Sequence, residues 1–413
     1  MDEISQSMPK KTKPPKPAKN KAVWLFAGSP MQKIAARKIK ELGFKLILTD
    51  QDTKCSCLKF ADEFINLDTF DIQGNLKTAE KLKTKYQIKA VFTSAADCHE
   101  TVAHVAKALN LPGINPEISH ICRYKIKTRQ KLNKAGIPQP VSTMAQSIKE
   151  AQLSSEEIGL PVLLKSSNNS GSRGLVKIDK LSDITPEVFL YTLRSGTTNY
   201  LVVEKLLQPV ESGIAEQSVE TLWYNGKMYW LNWVDRLFRK DFNLFESFKK
   251  VFQKAKFEWG VELAHINPAV HDFKLKQRVF EMIYKAGIAI GMDEQTGGHV
   301  LKADIMFTKD GPYILELTPR LSGGWDSSIT TPLRGADFVG GVITLALGEK
   351  LTLDLWHQYF EYKNPALYAS IFAKVSPRAK DSIDRQFAVG SSFDREISLK
   401  NAYEELIKGN YIT

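Results

Sequence analysis

The stretch Lys302–Trp325, KADIMFTKDGPYILELTPRLSGGW, constrains the fold more than any other part of the chain. Two apolar runs flank Lys309-Asp310-Gly311, which is the mark of a β-hairpin. With a three-residue loop, Thr308 pairs with Pro312, and counting outward sets Asp304 opposite Glu316. Alternation along the strand then puts Glu316, Thr318 and Arg320 on one face. Directly opposed carboxylates have Cβ atoms about 5 Å apart and repel one another. A divalent cation between them, or solvent, relieves that repulsion. The neighbours Ile305, Phe307, Ile314, Leu315 and Leu317 are apolar, which argues against two solvated acids. Mg2+ takes hard oxygen ligands, commonly one or two carboxylates with phosphate oxygens and water. Asp304 and Glu316 are therefore read as metal ligands, with Arg320 as fixed positive charge beside them.

Upstream, strand and helix patterns alternate. Ala22–Ala27 is an apolar run ending in Gly28-Ser29-Pro30, Met31–Leu42 is amphipathic, and Phe44–Thr49 is apolar and β-rich. The pattern returns in a helix around Leu76–Tyr86, a strand at Ala90–Thr93 and a helix around Glu100–Leu109. Such alternation implies a parallel sheet covered by helices, assigned to residues 21–115. A lysine-rich helix is expected over Ile118–Ala135, stopped by Gly136-Ile137-Pro138. A smaller α+β unit follows, with strands at Pro161–Lys165, Leu175–Ile178 and Tyr200–Glu204. Longer strands begin at Glu216, where Asn225-Gly226 between apolar runs signals a tight hairpin. Phe273–Ile290 reads as a helix with Val279, Ile283, Ala286 and Ile290 on its inner stripe, and Phe280 and Tyr284 are also expected in the core. Residues 350–413 read as a β-rich cap and a last helix.

A second chemical feature is Lys165 followed by Ser-Ser-Asn-Asn-Ser-Gly171-Ser-Arg-Gly174. A lysine ends a buried strand and a loop of small residues follows. Backbone N–H groups of such loops cradle phosphates while the lysine neutralises them. No Gly-Lys-Ser/Thr occurs, so this is not a P-loop. The net charge of +11 suits an anionic ligand. Nucleic acid is not expected, because no RNA-binding signature accompanies the charge. Residues 1–20, with Pro9, Pro14, Pro15 and Pro17 among lysines, read as a disordered basic tail. No apolar stretch reaches the roughly 18 residues of a membrane helix, and the N-terminus lacks a signal-peptide core, so a cytoplasmic protein without a membrane partner is expected. Cys55, Cys57, Cys98 and Cys122 form no zinc-type pair of pairs and are expected to be reduced. His99 and His104 lack metal-ligand spacing and read as packing or surface residues. Ser327 and Ser328 have no histidine nearby in sequence, which speaks against a Ser-His triad.

Together these motifs resemble the ATP-grasp superfamily over about residues 22–350. VFTSAADCHETVAHVAKALNLPG resembles the end of that family's N-terminal domain. RYKIKTRQKLNKAGIPQP resembles the segment of the first ATP lysine, which falls on Lys125, with Tyr124 at the usual aspartate position. GLPVLLKSSNNSGSRG places the second ATP lysine on Lys165, with Ser170 and Gly171 in the phosphate loop. VVEKLL resembles the hinge that reads adenine, through Glu204, Lys205 and Leu206. The strand EQSVE offers Glu216 to the ribose or a metal. Asp304 and Glu316 fall on the two metal-binding acids and Arg320 on the catalytic arginine. Thr318 stands where the family has asparagine and would give one hydroxyl oxygen.

The resemblance implies a Rossmann-like N-terminal domain (21–115) and a two-lobed ATP-grasp fold. The small lobe with its linker helix is placed at 116–205, the large lobe at 206–350 and a C-terminal extension at 351–413. It implies ATP with Mg2+ or Mn2+, small-molecule carboxylate and amine substrates, and a homodimer among the oligomeric states its members adopt. The reaction implied is phosphorylation of a carboxylate to an acyl phosphate, followed by coupling to an amine or related nucleophile. A carboxylase or carbamoyl-phosphate-type enzyme activating bicarbonate, and an ATP-binding module without ligase activity, are the alternatives. Substrate contacts are expected from His265, from Ser322, Gly323 and Gly324, and from Arg334, whose fork geometry suits a carboxylate.

Overall fold

The computed structural model describes residues 20–171, 173–251, 260–323, 326–374 and 386–412. The basic tail up to residue 19, and Gly324, lie outside the described residues.

The first unit runs β1 (Lys21–Phe26), α1 (Lys33–Glu41), β2 (Lys45–Asp50), β3 (Glu63–Asn66), α2 (Ile72–Lys85), β4 (Gln87–Phe92) and α3 (His99–Ala108). Its strands are parallel in the order β3-β2-β1-β4. Residues Ala22, Val23, Trp24, Leu25 and Phe26 are fully buried. A parallel sheet is covered on both faces, so its strands read as unbroken apolar runs. Strand order reverses between β1 and β4. The loops after those two strands, Gly28–Met31 and Thr93–Asp97, therefore flank a topological switch point, where open α/β sheets bind ligands.

Next come α4 (Pro116–Arg123) and α5 (Lys125–Lys134), where the sequence suggested one continuous helix. Tyr124 breaks it with extended backbone, φ −102 and ψ 108. The freed Lys125 N–H donates to Ser167 O at 3.0 Å, so the break stitches the helix pair to the following sheet. That sheet is built from β5 (Ser142–Ala145), β6 (Val162–Ser166), β7 (Val176–Ile178) and β8 (Leu201–Lys205), with α6 (Ile148–Ile158) and α7 (Pro186–Arg194) packed on it. The order is β5-β8-β6-β7, antiparallel throughout.

The third sheet has the order β13-β12-β9-β10-β11-β14-β15, ending in β14 (Tyr368–Ala373) and β15 (Phe387–Ser392). It contains β9 (Glu216–Tyr224), β10 (Lys227–Phe238), β11 (Glu262–Asn267), β12 (Gly298–Thr308) and β13 (Gly311–Thr318). Asn225 and Gly226 both have positive φ, 48 and 78, as a two-residue type I′ turn requires. Between β11 and β12 lies α8 (Phe273–Ile290). Its buried Val279, Ile283, Ala286 and Ile290 pack under β9, β12 and β13. Phe280 and Tyr284 are not core residues: they stand 36% and 40% exposed. Each lies one position round the helix from the buried stripe, stacked on Trp230 and Trp223 respectively.

After β13 follow α9 (Thr331–Leu333), α10 (Phe338–Ala346) and α11 (Leu353–Tyr359), then β14 (Tyr368–Ala373), β15 (Phe387–Ser392) and α12 (Arg395–Lys408). The last two strands extend the large sheet past β11, and α12 packs on its outer face through Leu399 and Ala402. One apolar cluster joins Val23 and Leu25 of β1 to Leu231 of β10, Val300 of β12 and Phe338 of α10. This fixes the N-terminal sheet against the large one.

Candidate active site

The small and large sheets face one another across a cavity of about 1140 Å³, closed at one end by the switch-point loops. Hairpin β12–β13 provides its floor. The turn is two residues long, since Thr308 pairs with Gly311 and not with Pro312. A bulge at Leu315 absorbs the difference, and Asp304 ends opposite Glu316. Both carboxylates line the cavity. Lys302, two residues before Asp304 and thus on the same face, donates to both Asp304 oxygens at 2.7 Å. Arg236 Nη1 lies 3.3 Å from Asp304 Oδ2. Burial would raise the Asp304 pKa, but these two cations hold it below the ordinary carboxylate value.

Two lysines enter the cavity from helix α5 and from the small sheet. Lys125, at the first turn of α5, donates its Nζ to Asn169 O at 2.5 Å. Burial lowers its pKa, against the pull of Glu316. Lys165, at the end of β6, pairs with Glu204, whose side chain is 1% exposed. Glu204 also accepts from Arg129 Nε and Nη2 at 3.0 and 2.9 Å. Its pKa is held down because the Arg129 and Lys165 charges outweigh burial. Arg129 donates onward to Ile314 O and Leu315 O at 3.2 and 2.6 Å, so one buried ion cluster joins the two sheets behind the cavity. Lys205 and Leu206 line the cavity beside Glu204. The Lys205 ammonium is held by Gly159 O at 2.6 Å.

Arg320 follows β13 and reaches the switch point. Its Nε donates to Asp97 Oδ1 at 2.9 Å and its Nη1 to Leu321 O at 2.8 Å. Asp97 also accepts from the Ser170 hydroxyl. Burial would raise the Asp97 pKa, and the Arg320 charge overrides it to give a strongly acidic group. A single carboxylate from the N-terminal sheet thus joins the arginine to the small-residue loop.

Glu216 lines the same cavity, and burial pushes it up to about 7 over the opposing charge of Arg236. Arg236 forks onto Glu262, with Nε–Oε1 at 2.5 Å and Nη2–Oε2 at 3.1 Å. His265 sits between Glu262 Oε1 at 2.5 Å and Asp326 Oδ2 at 2.7 Å. Burial alone would lower its pKa; the two carboxylates raise it to about 10. The imidazole therefore stays charged at neutral pH.

No family model matches the chain. The uncharacterised protein y4rH of Sinorhizobium fredii (strain NBRC 101917 / NGR234) is 26% identical over 355 residues, 84% of this chain and 67% of that protein. Among solved structures, an L-amino acid ligase from Bacillus licheniformis superposes with a TM-score of 0.67 at 20% identity, covering 86% of this chain and 81% of its own. An ADP complex of N5-carboxyaminoimidazole ribonucleotide synthetase gives 0.69 at 14%, covering 95% and 97%. The biotin carboxylase domain of a Hydrogenobacter thermophilus 2-oxoglutarate carboxylase, solved with MgADP and bicarbonate, gives 0.62 at 16%, covering 85% and 74%. The chain has the ATP-grasp fold.

Within this ATP-grasp cleft the structure gathers Arg320, Lys125, Lys165, Ser170, Gly171, Glu204, Lys205, Leu206, Glu216, Asp304, Glu316, His265, Ser322 and Gly323. Two of the residues singled out in the sequence are not brought there. Thr318 is buried beside Lys302 and does not line the cavity. Arg334 is no carboxylate clamp: its guanidinium donates to Leu367 O, Asn267 Oδ1 and Pro365 O at 2.9, 2.7 and 2.9 Å and stacks on Tyr362. With those donors taken, it braces the 364–367 turn. Conversely, Asp97, Arg236, Glu262, Lys302 and Asp326 went unmarked in the sequence. Asp97 had a signal, being at the carboxyl end of a parallel strand beside the switch point. Lys302 had one too, sharing a face with Asp304 by period two. Among the described residues no three His, Cys, Asp or Glu side chains converge as a ready metal cage, no helix is long and apolar enough to cross a membrane, and all four cysteines are buried free thiols.

Beneath the loop after Arg320, buried Glu220 accepts from Ser322 N at 2.6 Å and Asn232 Nδ2 at 3.0 Å. Burial still raises its pKa to about 7. A carboxyl that is harder to ionise in the folded state stabilises the protein at low pH. That contribution is lost as pH rises from about 4.5 through 7, because the native state binds more protons there. In Glu220→Gln the stability of the ligand-free protein should fall less between pH 5 and pH 8 than in the wild type. Urea midpoints at the two pH values check this, and an unchanged difference would place the titration elsewhere.

Proposed function

We propose that the chain is an ADP-forming ligase that phosphorylates a carboxylate with ATP and passes the acyl group to an amine. The observation that carries this reading is convergence. Lys125 from the first turn of α5, Lys165 from the small sheet, Asp304 and Glu316 from the large sheet and Arg320 just after β13 line a single cavity. Its depth beside the Glu204–Leu206 hinge is apolar, through Pro140, Leu163 and Leu315, and accepts a planar base.

A carboxylate is a poor electrophile until one oxygen is phosphorylated. Lys125 and Lys165 hold the nucleotide's phosphates by charge-assisted hydrogen bonds. Asp304 and Glu316, an opposed all-oxygen pair, fit a hard cation whose remaining ligands are phosphate oxygens and water. Asp304 and Glu316 would hold Mg2+ or Mn2+ there, and the cation would supply positive charge against the nucleotide's phosphates. Thr318 lies away from the cavity, so Asp304 and Glu316 hold that cation without it. Lys302 and Arg236 already balance Asp304, which keeps the cleft from accumulating uncompensated negative charge before ligands enter. Arg320, oriented by Asp97, stabilises charge developing on the transferred phosphoryl group. Ser170, tied to the same Asp97, brings the small-residue loop over the phosphates and keeps water from the acyl phosphate. His265, as a fixed cation beside Ser322 and Gly323, faces the substrates.

The test is a screen of carboxylates against amines with Mg-ATP, with ADP and product detected by mass spectrometry. ADP release that requires both an acid and an amine is expected. AMP formation, or hydrolysis indifferent to any acid, would overturn the reading.

A further inference from the structure

Two neighbouring strands set a polar square into the floor of the cleft. On β12, Lys302 and Asp304 stand two residues apart on one face. Across from them on β9 stand Glu220 and Ser218, with Lys302 in register with Glu220 and Asp304 with Ser218. All four are buried, and Lys302, Asp304 and Ser218 line the cavity. Directly opposed side chains of a sheet have Cβ atoms about 4.5–5.5 Å apart, so the flexible four-carbon stem of a lysine reaches every corner of the square. The corners are unequally served. Lys302 seats its ammonium on Asp304, 2.7 Å from each oxygen. Glu220 accepts from Ser322 N and Asn232 Nδ2, and each of its oxygens has a lone pair for a second bond. Ser218 is the unpartnered corner. Its Oγ is buried and, among the described residues, makes no hydrogen bond. A buried hydroxyl left unpaired costs the folded state free energy, and such groups are few in native proteins.

The Asp304 oxygens are also where the ligase reading puts the divalent cation. An ammonium seated on both oxygens and a divalent cation drawn to the same oxygens repel one another, and burial leaves that repulsion poorly screened. One resident positive charge has to yield. Arg236 is anchored by its fork on Glu262 and keeps its place. Lys302 has, among the described residues, no side-chain partner but Asp304. It is therefore the group that can turn, and the acceptors across the strand pair are the Ser218 hydroxyl and the Glu220 carboxylate.

We infer that Lys302 is a positioning residue with two berths: it holds Asp304 in place before the cation arrives, and moves onto Ser218 and Glu220 when Asp304 takes the cation. The lysine keeps its charge throughout and only exchanges partners. Glu220 holds the loop after Arg320 through Ser322 N, and Ser322 and Gly323 line the cavity, so the exchange carries metal loading to that loop. The inference rests on the ligase reading for the assignment of Asp304 and Glu316 to the cation.

The experiment measures the factor by which Mg2+ tightens binding of adenylyl imidodiphosphate, a non-hydrolysable ATP analogue, by calorimetric titration with and without the metal. In Lys302→Met no ammonium has to leave Asp304, and the factor should rise at least about tenfold over the wild type. Lys302→Gln, which keeps a polar tip, replaces it if the Met variant does not fold. Ser218→Ala removes one acceptor for the displaced ammonium and should lower the factor about tenfold, the scale of a hydrogen bond to a charged group. The double variant decides. In the Lys302→Met background, Ser218→Ala should change the factor less than about twofold, because the hydroxyl acts only through the lysine. Additive effects of the two substitutions, or a Lys302→Met factor no higher than the wild type's, would overturn the exchange. Glu316→Gln separates the two readings. If it removes the Mg2+ effect while Lys302 and Ser218 act additively, the exchange alone falls. If it leaves the Mg2+ effect intact, the metal assignment falls and the exchange with it.

Discussion

Glu316→Gln should lower the rate of ADP formation at saturating Mg-ATP by about 10²–10³-fold, the effect of removing one group that stabilises transition-state charge. The carboxylate stands opposite Asp304 and, among the described residues, makes no side-chain hydrogen bond or ion pair of its own. Its replacement therefore costs the fold little and the proposed metal site one anionic ligand. A steady-state assay over a range of Mg2+, with a melting midpoint as control, checks this. A rate within threefold of wild type in a folded protein would show that the opposed acids do not hold the metal.

The second large effect is on stability. Glu204 is the shared anion of Arg129 and Lys165, and Arg129 also carries the carbonyls of β13. Glu204→Ala leaves buried Arg129 and half-buried Lys165 facing one another without their counter-ion. Breaking a buried pair this way costs about 3–5 kcal/mol. In a protein of this size a drop in melting temperature of about 3–6 °C is expected. Thermal unfolding followed by circular dichroism reads it. A shift under 2 °C would mean that water or a rearranged neighbour replaces the carboxylate, and that the cluster is not what joins the two sheets.

Both predictions rest on residues visible in the sequence, and the contrast with the others is physical. Asp304 and Glu316 could be paired because a hairpin is a local structure with period-two faces. The count that paired them assumed a three-residue turn; the real turn is shorter, and the bulge at Leu315 restored the register. Lys165 could be read because it ends an apolar strand just before a loop of small residues. Asp97, Arg236 and Asp326 sit singly in separate elements, and only the tertiary fold brings them to Arg320, Asp304 and His265, while Glu262 shares β11 with His265 and gains Arg236 from the neighbouring strand. Arg334 shows the converse. A guanidinium fork suits a carboxylate and backbone carbonyls alike, and the turn that claims it, residues 364–367, carries no local signal. The break at Tyr124 escaped notice because no proline or glycine marks it; what sets it is the long-range bond from Lys125 N–H to Ser167. The C-terminal region was legible only as a β-rich cap with a last helix, and neither its strands nor their place at the sheet edge could be read, since short apolar runs do not name their partners.

The central claim is that a substrate carboxylate attacks the γ-phosphoryl group of ATP within this cleft. It is tested by supplying the acid found to support ADP release with both carboxyl oxygens labelled with 18O, and measuring the label in the inorganic phosphate. Acyl-phosphate chemistry transfers one labelled oxygen to phosphate for each ADP formed. Phosphate carrying no label, or pyrophosphate and AMP in its place, would contradict the account.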